Sequence, residues 1–149
     1  MPWITTITLI GLFAVVMLAG FLMDAQNKRR DAQYRRSARE YMSSRRRRSA
    51  LEFGREFYPD RPEVASEIRD LLAKHIPIDL AQLEPSDQPV QDLHMDDLDS
   101  MATTEFLMDI EDRFGIKIEE SAAIQMRTVD DIVRYVIAKI DQKELENLL

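Results

Sequence analysis

The chain has 149 residues, 32% of them charged, no cysteine, and a formal net charge of −7. That length allows one domain of ordinary size plus extra elements. The lack of cysteine excludes disulfide stapling, thiolate catalysis by the chain itself and cysteine-type zinc sites. The net charge conceals three zones. Residues 1–23 carry no charged side chain, residues 24–55 carry 11 Lys and Arg against 4 Asp and Glu, and residues 56–149 carry 9 against 23.

The first element is the apolar run Pro2–Met23. As a helix its 22 residues span about 33 Å at ~1.5 Å per residue, enough for a hydrocarbon core of ~30 Å. Trp3 sits where an interfacial aromatic belongs. A cleaved signal peptide is the rival reading, but it wants basic residues before its apolar run, and none precede Trp3. Lys28, Arg29, Arg30, Arg35 and Arg36 follow the run instead. A retained anchor with the N-terminus outside and the remainder in the cytoplasm is therefore expected.

Residues 24–58 lack a clean apolar stripe and read as a basic spacer, largely a solvated helix broken near Gly54 and Pro59. Its run Arg45–Arg48 suits anionic lipid head groups, at ~1 kcal/mol per basic residue. Membrane lipid is thus the expected partner of residues 1–48. Nucleic acid is the less favoured one, because the anchor already places the run at a lipid surface.

Residues 59–149 form the acidic domain. Asp60 with Glu63 suggests a capping box opening a helix whose apolar positions are Val64, Ile68, Leu71, Leu72 and Ile76. Pro77 ends it. A loop of some 20 residues follows, with Leu80, Leu83, Val90 and Leu93 as candidate plugs; a loop well beyond the usual ~4–6 residues is functional or part-structured. A second helix runs from about Ser100 to Phe114 and stops at Gly115. A short helix fits Ser121–Gln125. The last helix is capped by Thr128 and carries Val129, Ile132, Val133, Val136, Ile137 and Ile140 at 3.6-residue spacing. The domain reads as all-α, three longer helices and one short, preceded by a single transmembrane helix and a basic helical spacer.

Competing sites are weak. A calcium loop starting at Asp92 would place Asp97 where glycine is needed and Thr103 where glutamate is needed. His75 and His94 are the two histidines, too few for a His-rich metal site, and no metal site is expected. His75 reads as a helix-end residue and His94 as a loop-surface one. No Ser-His-Asp arrangement can be argued from the spacing.

From about Glu56 to Ile140 the chain resembles an acyl carrier protein, the small four-helix carrier of fatty acid and polyketide synthesis. The resemblance rests on Asp99-Ser100-Met101 opening the second helix, Glu105 and Phe114 behind it, and Ile118, Thr128 and Val129 beyond. Upstream the family often reads Asp-Leu-Gly-x-Asp-Ser-Leu, whereas this chain reads Asp92-Leu93-His94-Met95-Asp96-Asp97-Leu98-Asp99-Ser100-Met101. Counted from the upstream Asp-Leu, Asp97 takes the serine position; counted from the helix, Ser100 does, with three extra loop residues. The helix register is preferred, since a core stripe is fixed and loops absorb insertions. Ala102 also softens an acidic position of the family.

The resemblance implies a carrier with no catalytic residues of its own. A phosphopantetheinyl transferase would attach 4′-phosphopantetheine to Ser100, at a helix N-terminus whose dipole and N–H groups favour an anion. Asp99, Glu105, Asp109, Glu111 and Asp112 would face acyl-transferring or synthase enzymes that carry basic patches. Phe106, Ile110, Phe114, Met126 and Val133 are candidates for an acyl cavity, or ordinary core. Two other classes stay open: a carrier-like docking module without prosthetic group, and a membrane scaffold acting through its basic segment.

Overall fold

The computed structural model describes residues 2–149, with side chains from residue 10 onward; the interfacial role expected of Trp3 lies outside the described side chains. Among the described residues the secondary structure is helical: α1 (Pro2–Met42), α2 (Ala50–Phe57), α3 (Pro62–His75), α4 (Met95–Leu98), α5 (Ala102–Phe114), α6 (Glu120–Gln125) and α7 (Val129–Leu148). The chain divides into two compact units, Met1–Gln33 and Tyr34–Leu149.

In the first unit, the described apolar residues of α1 bury nothing. Phe13, Leu18 and Phe21 are 59–70% exposed. In water that surface would be costly, at about 25 cal/mol per Å². The span Ile10–Met42 is long and apolar enough to cross a membrane, and none of its most apolar window is buried by the protein. It is therefore unlike the core helix of a soluble fold.

The second unit begins well before the expected boundary at residue 59. Ala38 and Met42, one turn apart, are fully buried, and so are Phe53 and Tyr58. Residues 34–58 thus belong to the second unit and are not a solvated spacer. The helix α2 starts with a reciprocal cap: Ser49 Oγ accepts from Glu52 N–H, and Glu52 accepts from Ser49 N–H. Such a cap satisfies two backbone donors that a helix start otherwise leaves unpaired. Gly54 does not break this helix. It lets α2 lie against α3, because a Cβ there would stand 2.1 Å from Pro62 O and 2.6 Å from Ser66 Oγ.

The arginine run is spent inside the same unit. Arg45 holds Asp87 through Nη1, at 2.7 Å to each carboxylate oxygen; it also lies 3.6 Å from Glu84 and stacks 4.7 Å above the Tyr41 ring. Arg46 sits near Glu52 and Glu56, and Arg47 pairs with Asp79. Arg48 forks onto Glu56 at 2.7 and 2.8 Å. Of the run expected to meet lipid, Arg45 and Arg48 are turned inward to acids of their own unit, whereas Arg46 and Arg47 are 66% exposed.

Downstream, α3 starts at Pro62 with Arg61 as its N-cap and no side-chain cap, so Asp60 and Glu63 do not form the expected box. Arg61 is turned instead to Asp141 and Glu144 of α7. The long loop is pinned by buried Ile78, Leu80, Leu83 and Leu93, while Val90 is 45% exposed and lies outside the buried core. Gly115 ends α5 with φ 60° and ψ 39°, the left-handed conformation its place predicts. Thr128 caps α7 through a reciprocal pair with Asp131. Those bonds hold the Asp131 carboxyl below its ordinary pKa. The core gathers Phe53, Ile68, Leu72, Phe106, Ile110 and Val133, each burial contributing roughly 1.5–3 kcal/mol. Tyr58 joins the two ends of the unit, its hydroxyl donating to Asp130 at 2.8 Å. Burial and that bond push the phenol pKa upward.

Asp87 has no exposed side-chain surface, and Arg45 shows 17%. Removing the carboxylate strands a guanidinium among half-buried groups. Asp87→Ala is expected to cost about 3–5 kcal/mol in chemical denaturation, whereas Arg47→Ala at the exposed pair with Asp79 is expected to cost at most about 1 kcal/mol.

Candidate functional site

The segment ahead of Ser100 folds as the four-residue helix α4. Its first residue, Met95, is 1% exposed and plugs the core, which fixes the turn in place. Asp99 follows as the C-cap of α4. Ser100 then lies in the turn between Asp99 and Met101, the N-cap of α5. It is exposed, and its hydroxyl has no hydrogen-bond partner among the described residues. Asp97 lies on α4, exposed, and does not open a helix.

The start of α5 is already partly capped. Asp99 Oδ1 accepts from Met101 N–H at 3.0 Å, and Asp96 Oδ1 accepts from Thr103 N–H at 3.3 Å and from Thr103 Oγ1 at 2.7 Å. The set of free N–H groups expected near Ser100 is therefore smaller than helix geometry alone suggests. These carboxylates give the turn rigidity and leave the serine hydroxyl outward. The arrangement fits a phosphodiester-linked group: an accessible hydroxyl, unengaged, beside the positive end of a 13-residue helix.

The five acidic candidates separate. Asp99, Glu105 and Asp112 are exposed. Asp109 receives His75 Nε2 at 2.8 Å, so His75, at the end of α3, ties that helix to α5. Glu105 lies 3.9 Å from the same imidazole. Glu111 is the least exposed of the group, at 20% of its side chain. Its Oε1 accepts from Ile118 N–H at 2.7 Å, which fastens the segment after Gly115 to α5. Met101 and Met108 stand 52% and 56% exposed and share the outer face with Glu105 and Asp112 at i, i+4, i+7 and i+11, giving that face apolar contact as well as charge.

The five cavity candidates separate too. A small cavity of about 40 Å³ is lined by Phe106 and Met126 together with Val90, Met95, Leu107 and Ile132. Thr103 and Arg127 line it as well. Ile110 and Val133 are fully buried core and Phe114 packs against the core, so these three line no part of it. The wall from the long loop had no helical period to announce it.

Comparison with known proteins agrees with this geometry. The family model described as "Phosphopantetheine attachment site" matches residues 66–136. The acyl carrier protein of Chlamydia caviae is 29% identical over 73 residues, 49% of this chain and 91% of the relative. That of Thermotoga maritima is 29% identical over 80 residues, 54% of this chain and 95% of the relative. These matches indicate 4′-phosphopantetheine as the prosthetic group, and the matched relatives are carrier proteins. The helical body around Ser100 is thus a carrier domain of the acyl carrier protein type.

Proposed function

We propose that this chain is a membrane-anchored acyl carrier whose prosthetic group is attached to Ser100. The observation that carries the reading is the exposed, unbonded Ser100 hydroxyl at the start of α5, inside the matched region 66–136. The alternative register loses support because Asp97 sits on α4 rather than at a helix entrance. The attached group supplies a terminal thiol that holds acyl cargo as a thioester, and no cysteine in the chain competes with it. The residues around it do the rest. Asp96 and Asp99 fix the turn, while Asp99, Glu105 and Asp112 present charge to the basic patches of a phosphopantetheinyl transferase and of acyl-transferring or synthase enzymes. The cavity beside Phe106 and Met126 is where an acyl end would find apolar cover.

The membrane part of the reading is supported by α1, whose apolar surface finds no partner within the protein, and by the basic residues that follow it. By the positive-inside rule the carrier unit lies in the cytoplasm. Tethering confines the carrier to the surface where membrane-associated partners work and raises its effective concentration there.

The first test uses the full chain in detergent with a broad-specificity phosphopantetheinyl transferase, coenzyme A and magnesium, read by intact mass. A gain of one phosphopantetheine in the wild type and none in Ser100→Ala is expected. No gain, while a known carrier is modified in the same tube, would reject the carrier reading and leave a docking module. The second test extracts membranes with alkaline carbonate. The chain should stay in the pellet at its full mass; release, or a mature chain starting after residue 23, would reject the anchor.

A further inference from the structure

His94 occupies the place where the carrier family commonly has glycine, directly after Asp92-Leu93. Its backbone takes the conformation that glycine would take freely, φ 56° and ψ 35°. Among the described residues it is the one non-glycine residue with positive φ. A side chain there costs backbone free energy that glycine avoids, so the imidazole has to return something through its contacts.

Those contacts all run to two places. The ring lies 4.9 Å from the Tyr34 ring, centroid to centroid, tilted by 34°. Nε2 is 3.4 Å from Ser37 Oγ, and Nδ1 is 3.0 Å from Asp97 Oδ2. In the neutral imidazole these bonds require Nδ1–H to donate to Asp97 and Nε2 to accept from the Ser37 hydroxyl. One turn further along α1, Tyr41 Oη donates to Asp92 Oδ2 at 3.3 Å. Tyr34, Ser37 and Tyr41, at i, i+3 and i+7, therefore form one stripe that meets the segment Asp92–Asp97. That segment leads within three residues to Ser100.

We propose that His94 is a positioning residue, a latch that fastens the turn bearing Ser100 to the Tyr34–Tyr41 stripe. The latch lets the segment ahead of the carrier body set how the serine is presented. Ala38 and Met42, buried on the same helical stretch, keep the stripe fixed. The proposal rests on Ser100 being the modified serine, but its structural half does not.

The test compares four full-length chains in detergent: wild type, His94→Gly, the pair Tyr34→Ala with Ser37→Ala, and all three changes together. Hydrogen exchange should quicken at the amides of residues 95–101 by about tenfold in His94→Gly, with α3 and α7 unchanged, since local opening is set free of global unfolding. The melting temperature should barely move, because glycine removes the backbone cost while the contacts are lost. The Tyr34/Ser37 pair should give the same local effect, and the triple change should add nothing to it, as expected for one shared interaction. With the transferase, KM for the His94→Gly chain should rise while kcat holds, because the serine remains and only its presentation loosens. Wild-type exchange at 95–101 in His94→Gly, faster exchange spread equally through α3 and α7, or an unchanged KM beside a loosened turn would each overturn the proposal. If the wild type itself takes no phosphopantetheine, the Ser100 reading fails, and the latch is then decided by exchange alone.

Discussion

A buried ion pair organises the carrier unit. Arg45 approaches Asp87 with both carboxylate oxygens in reach, and Asp87 is shut away from solvent. Around it the backbone is tied in three directions. Asp87 also accepts from Glu84 N–H, its own carbonyl accepts from Val129 N–H at the start of α7, and Gln82 donates to the carbonyls of Ser43 and Arg45. The end of α1, the long loop and the last helix therefore meet at one charged contact. A pair of this kind contributes modest net stability, because desolvating both ions is costly, yet it penalises every arrangement that separates them. It is what turns some 20 residues with little helix of their own into a defined wall for the site.

That constraint changes the meaning of the basic segment. Read by charge alone, residues 24–55 look like a lipid-binding stripe, and that role is proposed for Arg29 and Arg30, just after the apolar run. The run Arg45–Arg48 is different. It offsets part of the strong negative charge of the unit it belongs to, through Asp79, Glu84, Asp87 and Glu56. Under the proposed function, the exposed acids Asp99, Glu105 and Asp112 are the ones that would meet basic partners. Structure and recognition thus draw on separate subsets of the same acidic surplus.

Much of this was legible in the residues. The 3.6-residue spacing of Val64–Ile76 and Val129–Ile140 marks α3 and α7, Gly115 marks the end of α5, and Thr128 marks a cap. The serine turn follows from the helix behind it. Periodicity misses what has no period. The packing of Ala38 and Met42 is invisible in a stretch whose other residues are polar. The Arg45–Asp87 contact joins residues 42 apart, which no local pattern reports. The role of Glu111 depends on a backbone N–H seven positions away. One miss had a usable signal: Ser49-x-x-Glu52 before an apolar run is a capping box, and it would have placed α2 where a spacer was expected. A glycine in a helix usually weakens it; Gly54 is needed because the carbonyl of Pro62 is pressed against it.

Residues 34–58 and the acyl-carrier helices fold as one cooperative body. Native-state hydrogen exchange on the full chain in detergent tests it most directly. The account predicts that the α2 amides and the loop amides near Asp87 share the slow, global opening of α3 and α7, and lose it together in Arg45→Met. Residues 43–57 exchanging as fast as an unstructured tail, with α3, α5 and α7 still protected, would contradict it and return the segment to the status of a spacer.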